Sequence, residues 1–299
     1  EILSNMATIT VFTPSYNRAH TLGRTYESLC RQSCRDFEWL VVDDGSTDGT
    51  AELVKGWIAE KRIPLRYIHK ENGGLHTGYN AAIRNIDSPL CICCDSDDFL
   101  TDDCIEIIRK AWEQCENKSE LAGIIGLDYT LDNTPIGGHF SSTGDYHIHE
   151  MCKFHHGDTK IVCRTDLLKL FAPMPVFPCE KNFNPIYLYV QVDRDYKFRL
   201  INESLCYVDY QEDGMSSQIF RQYKNSPRSF AQLRRLYMSM PYYDLKTHFR
   251  NSIHYISSCI FSRQWNGIKT SPRPLLCLLA IPFGIALNLY IRYKCKLTK

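Results

Sequence analysis

The chain has 299 residues, of which 44% are hydrophobic and 23% charged, and its net charge is +1. These values are ordinary for a folded globular protein and exclude a disordered or low-complexity chain. The net charge hides an asymmetry, because residues 219–299 carry a net charge of +13 while the first 218 residues sum to −12. A strongly basic segment of this kind indicates an anionic partner, either membrane phospholipid or nucleic acid.

The first half of the chain alternates apolar runs with amphipathic segments. Strands are predicted at residues 8–12, 38–42, 65–69, 89–94 and 121–127, with helices between them near Leu22 and at 50–60, 77–85 and 102–115. Thr101 is the expected N-cap of the last helix. This alternation predicts an α/β fold, a Rossmann-like and mainly parallel sheet flanked by helices. The 14 cysteines lie partly in apolar runs, which favours buried free thiols over a disulfide framework.

Four polar clusters follow the first four predicted strands: TPSYNR (13–18), DDGS (43–46), NGG (72–74) and DSDD (95–98). Ligands of parallel sheets bind beyond the carboxyl ends of the strands, so these clusters are expected to converge on one edge. The sequence contains no GxGxxG and no GxxxxGK[ST], which argues against a dinucleotide fingerprint and a P-loop. The first cluster instead offers hydroxyls, an aromatic ring and an amide that suit the base and ribose of a nucleotide.

The fourth cluster places Asp95, Asp97 and Asp98 within four positions, where their carboxylates repel one another. Aspartate also favours turns and helix N-caps, so a capped turn is the simpler interpretation. Hard carboxylates spaced D-x-D favour Mg²⁺ or Mn²⁺, which usually share their ligands with substrate phosphates. A divalent ion would relieve the repulsion, and the pattern therefore predicts a Mn²⁺ or Mg²⁺ site that holds a diphosphate.

The segments FTPSYNR, VVDDGSTD, KENGGLHTGYNAAI and CDSDDF resemble, in order and spacing, the family 2 glycosyltransferases of the GT-A fold. The resemblance covers roughly residues 8–218 and is strongest to bacterial members that build surface polysaccharides. It implies an inverting, metal-dependent transfer of sugar from a nucleotide donor, commonly a UDP-sugar. The acceptor implied is a hydroxyl of a glycan or of a lipid-linked molecule.

The resemblance also implies site residues. The metal is expected on Asp97 first and Asp98 next, with Asp95 completing the D-x-D, and Asp44 is preferred over Asp43 as the contact to the nucleotide base. The full set expected around the nucleotide is Thr13, Pro14, Tyr16, Asn17, Asp43, Asp44, Gly74, His76, Asn80, Asp95 and Ser96. Leu75 stands where similar sequences often have lysine, which weakens the expectation of a phosphate contact there. The QEDGMSS segment (211–217) resembles the family's closing loop.

The general base is where this sequence departs from the family pattern. Many relatives carry an adjacent Glu-Asp pair ahead of a helix that ends in Arg-Leu. Asp193 stands six residues before Arg199, but Val192 occupies the position of the Glu. A shifted alignment makes Glu180 a competitor. Asp193 is narrowly preferred, and a solvated charge on a helix is the alternative interpretation.

A histidine-rich stretch follows, with His147, His149, Cys152, His155 and His156 within ten residues. These residue types bind soft metals, but their spacing fits no zinc template. The stretch is therefore predicted to be a surface loop near the acceptor groove.

Residues 274–291 carry no charge, and Asn288 is their one strongly polar side chain. Eighteen residues are near the lower limit for a spanning helix, and Pro282 and Gly284 weaken a straight span. The basic and aromatic flanks suit a segment that lies in the membrane interface, although a packed helix and a full span are alternatives. The predicted organisation is a GT-A domain (6–218) and a helical membrane-associating extension (219–299) of a cytoplasmic protein attached to the inner face of the cell membrane.

Two other classes of protein share parts of this pattern. A sugar nucleotidyltransferase also combines a parallel sheet with acidic metal ligands, but its N-terminal loop is usually glycine-rich, and TPSYNRAHT has no glycine. A non-enzymatic nucleic-acid binder would explain the basic extension. It would not explain the uncharged apolar run within that extension, so no nucleic-acid partner is predicted.

Overall fold

The computed structural model describes residues 7–210 and 218–297. They form two compact units: one contains the described residues up to Pro173 together with Leu188–Tyr210, and the other contains Met174–Tyr187 and the described residues from 218 onward. The predicted division at residue 218 stays a prediction. The QEDGMSS segment lies outside the described residues.

The first unit is built on one sheet of nine strands in the order β3-β2-β1-β4-β8-β6-β9-β5, with β7 paired to β9. The strands are β1 (Ile9–Ser15), β2 (Phe37–Asp43), β3 (Leu65–His69), β4 (Leu90–Cys93), β5 (Phe99–Leu100), β6 (Leu121–Tyr129), β7 (Gly144–Tyr146), β8 (Thr159–Arg164) and β9 (Lys197–Tyr207). The helices before residue 210 are α1 (Leu22–Cys30), α2 (Thr50–Glu60), α3 (Leu75–Asn85), α4 (Cys104–Glu113), α5 (Ile148–Met151), α6 (Thr165–Phe171) and α7 (Ile186–Asp193), with a 3-10 turn at Lys118–Glu120.

The predicted α/β sheet flanked by helices is confirmed. Strands β1 to β4 pair in parallel, as expected of apolar runs separated by helices. Strand β8 was not predicted; it lies antiparallel between β4 and β6. The expected cap of α4 is wrong, because Asp103 is the N-cap residue and the Thr101 hydroxyl donates to the Ser204 carbonyl at 3.1 Å.

The core beneath β1 and β2 is closed by large aromatic side chains. Tyr26 on α1 stacks on Trp57 of α2 with ring centroids 4.3 Å apart, and Trp39 of β2 lies 5.9 Å from Trp57. Offset ring packing of this kind adds about 1 kcal/mol per pair beyond the burial of apolar surface. These contacts hold both helices against the sheet and so fix the start of the loops at its carboxyl edge.

The second unit is helical: α8 (Ile219–Asn225), α9 (Pro227–Ser239), α10 (Leu245–Ser262), α11 (Gly267–Thr270) and α12 (Pro274–Leu297). Asp244 caps α10 by accepting a hydrogen bond from the Thr247 N–H at 2.7 Å. Helices α9, α10 and α12 share a small apolar core that includes Met238, Tyr255 and Cys277. All cysteines of the chain are free thiols in this structure, and most are buried, as predicted.

Candidate active site

The carboxyl ends of β1 to β4 lie side by side. Ser15 is in register with Asp43, and Asp43 is in register with His69, so the turns after β1, β2 and β3 start at one edge. The N–H of Cys94, just after β4, donates to the Phe12 carbonyl at 3.0 Å. The four polar clusters therefore leave the sheet from a common edge, as the sequence predicted.

The first two turns are tied together by Asn17. Its N–H donates to the Ser46 hydroxyl and its side-chain oxygen accepts from the Thr47 N–H, both at 2.8 Å. Its neighbour Tyr16 is 49% exposed and thus accessible to a ligand. The Thr13 hydroxyl is turned into the core, where it accepts a hydrogen bond from a tryptophan ring. Pro14, buried at the end of β1, forms part of the floor of this edge.

Asp43 and Asp44 shape the wall of the same edge. Burial alone would raise the pKa of Asp43, but hydrogen bonds from Ser46 and Tyr67 outweigh it and lower that pKa. The Asp44 carboxylate is paired with the Lys70 ammonium and accepts the Gly73 and Gly74 N–H groups at 3.0 and 2.7 Å. Asp44 thus holds the loop that leads into α3, while Asp43 holds the turn after β2 through the Ser46 N–H. The contact of Asp44 to a nucleotide base stays a prediction.

Helix α3 begins at this loop. Gly74 is its N-cap residue with φ +96°, a left-handed conformation that glycine adopts without strain. His76 is fully buried in the first turn of the helix, and Asn80 is half-buried one turn later. The N-terminus of a helix attracts anions, which suits an edge expected to meet phosphate groups.

The DSDD cluster spans a range of exposure. Asp95 is exposed and Asp97 half-buried, whereas Ser96 and Asp98 are buried. One Asp98 oxygen lies 3.4 Å from the Lys160 ammonium, and the other accepts the Asp209 N–H at 3.3 Å. Burial and the neighbouring carboxylates raise the pKa of Asp98 to about 7 despite the lysine, and burial followed by repulsion from Asp95 raises the pKa of Asp97.

The structure adds two residues that sequence reasoning missed, Lys160 and Asp128. Lys160 of β8 is buried, with Asp128 at the end of β6 also 3.8 Å from its ammonium. Burial raises the pKa of Asp128 to about 6, with Lys160 opposing the change. Burial alone would lower the pKa of Lys160, but the Asp128 carboxylate outweighs it and the pKa of Lys160 lies well above its usual value. A lysine directly before the apolar run IVC of β8 was the one signal in the sequence.

The donor set of this cluster fits a divalent cation. Four carboxylates, Asp95, Asp97, Asp98 and Asp128, act on one another electrostatically, and Lys160 neutralises one of their charges. Asp95 and Asp97 keep oxygens towards the surface, and hard oxygen ligands of this kind suit Mg²⁺ or Mn²⁺.

Neither of the two residues predicted as general base is part of the acidic cluster around Lys160. Asp193, at the end of α7, is 1% exposed and accepts the Ile148 N–H at 2.6 Å. It precedes β9, whereas Asp98 contacts Asp209 beyond the other end of that 11-residue strand, so roughly 30 Å of strand separates the two positions. Burial raises the pKa of Asp193, opposed by the Ile148 N–H and His147.

Glu180 belongs to the second unit. Its carboxylate is buried and accepts the Arg228 N–H, the Ser229 N–H and the Ser229 hydroxyl at 2.8, 2.8 and 2.7 Å. These donors are the first residues of α9, so Glu180 caps the N-terminus of that helix.

The predicted surface loop of histidines is correct for Cys152 and His156, which are exposed, and wrong for the rest of the segment. Residues Ile148–Met151 form α5, and Ile148, Met151 and His155 are buried. His147 and His149 are half-buried and face Asp193. The apolar residues between the histidines account for the difference, since they pack inward and carry the imidazoles with them.

Comparison with known proteins agrees with this architecture. The family described as Glycosyl transferase family 2 matches residues 10–157. Glycosyltransferase GlyA of Streptococcus pneumoniae is 31% identical over 137 residues, which are 46% of this chain and 19% of that protein. The matched segment spans less than a fifth of the length of the first curated relatives.

Two solved structures share the fold at low sequence identity. S. aureus TarS 1-349 in complex with UDP-GlcNAc aligns with a TM-score of 0.62 at 17% identity, covering 88% of this chain and 75% of that one. A mannosyltransferase from Pyrobaculum calidifontis in complex with GDP-Man and Mn²⁺ aligns with a TM-score of 0.57 at 17% identity, covering 96% and 82%. Both likenesses establish a GT-A architecture.

Proposed function

Because the chain belongs to glycosyl transferase family 2, we propose that it is an inverting, divalent-metal-dependent glycosyltransferase acting on a nucleotide-sugar donor. The expected donor is a UDP-sugar, and the expected acceptor is a hydroxyl of a glycan or lipid-linked molecule in surface polysaccharide synthesis. The convergence of the four polar turns, of which the DSDD cluster is one, carries this proposal. The UDP-GlcNAc and GDP-Man held by the two similar structures support it.

The donor is proposed to lie along the carboxyl edge of β1 to β4. The exposed Tyr16 ring would contact the nucleotide base, while Asn17 keeps the first turn fixed against the second. Asp44 orients the loop before α3 and Asp43 the turn after β2, and the N-terminus of α3 would face the phosphates. Because these loops are already cross-linked by hydrogen bonds, little ordering entropy is lost on binding.

Asp97 and Asp95 are proposed to hold Mn²⁺ or Mg²⁺, with Asp98 behind them. The bound ion supplies the positive charge that neutralises the departing diphosphate. Lys160 and the Asp209 N–H fix the Asp98 carboxylate, so the acidic turn is held in one geometry. That preorganisation lowers the cost of reorganising charged groups during the reaction.

Three carboxylates compete for the role of general base. Asp193 and Glu180 follow from the sequence, but their hydrogen bonds to the Ile148 N–H and to the start of α9 give each a structural task. Asp128 belongs to the acidic cluster itself, because the Lys160 ammonium that contacts Asp98 also lies 3.8 Å from Asp128. We therefore place Asp128 first among the three.

The second unit is proposed to attach to the inner face of the cell membrane. Among the described residues, α12 is the one helix long and apolar enough to cross a bilayer, with a mean hydropathy of 2.0 and 28% of its apolar window buried. Its small residues, such as Gly284 and Ala280, face inward, and large apolar residues, such as Leu279 and Phe283, are exposed. A helix with small residues inside and large apolar residues outside suits an outer face that contacts lipid. A lipid-linked acceptor would be encountered there.

The enzymatic proposal is tested by nucleoside diphosphate release from a panel of UDP-, GDP- and dTDP-sugars, with and without Mn²⁺. We expect metal-dependent release from one nucleotide class. Asp97→Asn should lower the rate at least 100-fold, a loss on the scale of a removed charge-stabilising group. The exposed Asp132→Asn is the matched control and should retain activity. No release from any donor, or an equal loss in the control, would contradict the proposal.

A further inference from the structure

Two histidines and an aspartate meet at the amino end of β9, away from the acidic turn. His147 is the N-cap residue of α5 and His149 lies in its first turn, while Asp193 ends α7. One nitrogen from each imidazole and an Asp193 oxygen all lie within 4.8 Å of one another. The Asp193 side chain is 1% exposed, so the carboxylate is held in place rather than solvated.

Each imidazole lies at about the edge length of a tetrahedral metal site from one Asp193 oxygen, and the two imidazoles face different oxygens of that carboxylate. His147 Nδ1 lies 3.4 Å from one Asp193 oxygen, and His149 Nδ1 lies 3.5 Å from the other. Ligands about 2.05 Å from a tetrahedral Zn²⁺ stand about 3.3 Å from each other. The two imidazole nitrogens lie within 4.8 Å of each other, so they need to approach by about 1.5 Å at most to reach the same separation. The backbone fixes the approach, because the Ile148 N–H between the histidines donates to Asp193 at 2.6 Å.

We propose that His147, His149 and Asp193 form a Zn²⁺ site that is distinct from the carboxylate site for Mn²⁺ or Mg²⁺. Two imidazoles and one carboxylate are a ligand set typical of zinc with an open fourth position for water. The carboxylates of the DSDD cluster are harder ligands and select other ions. The site joins α5 to the end of α7, and Zn²⁺ therefore stabilises the folded first unit.

Binding has one local cost. His147 Nδ1 is 2.7 Å from the Asp193 backbone carbonyl, to which its N–H donates. A metal ion at this nitrogen moves that proton to Nε2 of the same neutral ring, so zinc uptake costs the hydrogen bond to the Asp193 carbonyl. The same contact places the ring within reach of the carboxylate before metal arrives.

The proposal is tested on the full chain after removal of metal with a chelator. Zn²⁺ is titrated in competition with a chromophoric chelator, and Co²⁺ is added in parallel, because tetrahedral cobalt absorbs visible light far more strongly than octahedral cobalt. We expect one equivalent of tightly bound Zn²⁺ and the intense Co²⁺ spectrum. His149→Ala and Asp193→Asn should each weaken zinc affinity at least tenfold.

Two further variants and one folding control keep the test decisive. His156→Ala changes an exposed histidine of the same segment and should bind zinc as the parent does. Asp97→Asn should also bind one equivalent of Zn²⁺, which would show that this site is separate from the proposed donor site. Because Asp193 also accepts the Ile148 N–H and so has a structural role, His149→Ala is compared with the parent by circular dichroism in chelator. Zinc binding that is absent in the parent, or unchanged in a folded His149→Ala, would overturn the proposal.

Discussion

Lys160 is the buried cation next to the acidic turn. Its ammonium lies 3.4 Å from Asp98 and 3.8 Å from Asp128, and all three side chains are buried. The aspartates of the turn were predictable because they are adjacent in sequence. Lys160 was not, because it follows Asp98 by 62 positions and reaches it through an antiparallel strand whose pairing leaves no local signature.

Lys160→Met is expected to lower the free energy of unfolding by about 3 kcal/mol, since two buried carboxylates lose their cation. Millimolar Mn²⁺ should restore more stability in the variant than in the parent, because the ion replaces the missing charge. Denaturant unfolding with and without Mn²⁺ measures both effects. Lys169→Met, which removes a more exposed lysine of the same unit, is the control and should be nearly neutral. Equal stability of Lys160→Met and parent would show that the cluster does not depend on the lysine.

At the scale of elements, the strands and helices up to β4 follow from the sequence. Apolar runs alternate with amphipathic helices there, and β3 and α2 have the predicted bounds. The pattern weakens after β6, where short strands such as β7 and β8 lie among polar residues, so their pairing depends on contacts distant in sequence. Glu180 illustrates the same limit. A carboxylate that serves a helix beginning 47 residues later, at Pro227, looks identical in sequence to a free catalytic acid.

Glu180→Gln is expected to destabilise the second unit by about 2 kcal/mol, because hydrogen bonds from the start of α9 lose a charged acceptor. Nucleotide-sugar turnover, measured well below the unfolding temperature, should stay within a few-fold of the parent. Glu203→Gln, at an exposed position, is the matched control and should change neither quantity. A loss of turnover by 100-fold or more with stability unchanged would instead identify Glu180 as the general base.

At the scale of the whole molecule, the sequence predicts the charge asymmetry but not which face of α12 is covered. Its six buried positions recur every three or four residues, from Cys277 to Cys295, and are mostly small or polar. Gly284 permits close packing, since a Cβ there would stand 2.5 Å from a methyl group of Ile256. Hydropathy averages over both faces of a helix. Only the structure shows that the large apolar side chains of α12 point outward.

Flotation with phospholipid vesicles tests the proposed attachment. We expect binding to vesicles containing phosphatidylglycerol and weaker binding to pure phosphatidylcholine, because each basic residue near an anionic surface contributes about 1 kcal/mol. Replacing Leu279 and Phe283 with Glu should abolish binding. Leu170→Glu, at a 70% exposed leucine of the first unit, is the control and should float with the vesicles. Binding that survives the double substitution would exclude α12 as the attachment element.

The central claim, a metal-dependent nucleotide site at the DSDD edge, is tested most directly by thermal unfolding. The parent and Asp97→Asn are each heated with UDP, GDP, CDP or dTDP, with and without Mn²⁺. A nucleotide at 100 times its dissociation constant adds about 2.7 kcal/mol to the folded state. We expect UDP to stabilise the parent when Mn²⁺ is present, and Asp97→Asn to lose this effect. If no nucleotide raises the unfolding temperature at any Mn²⁺ concentration, the edge holds no such site and the DSDD cluster is a capped turn.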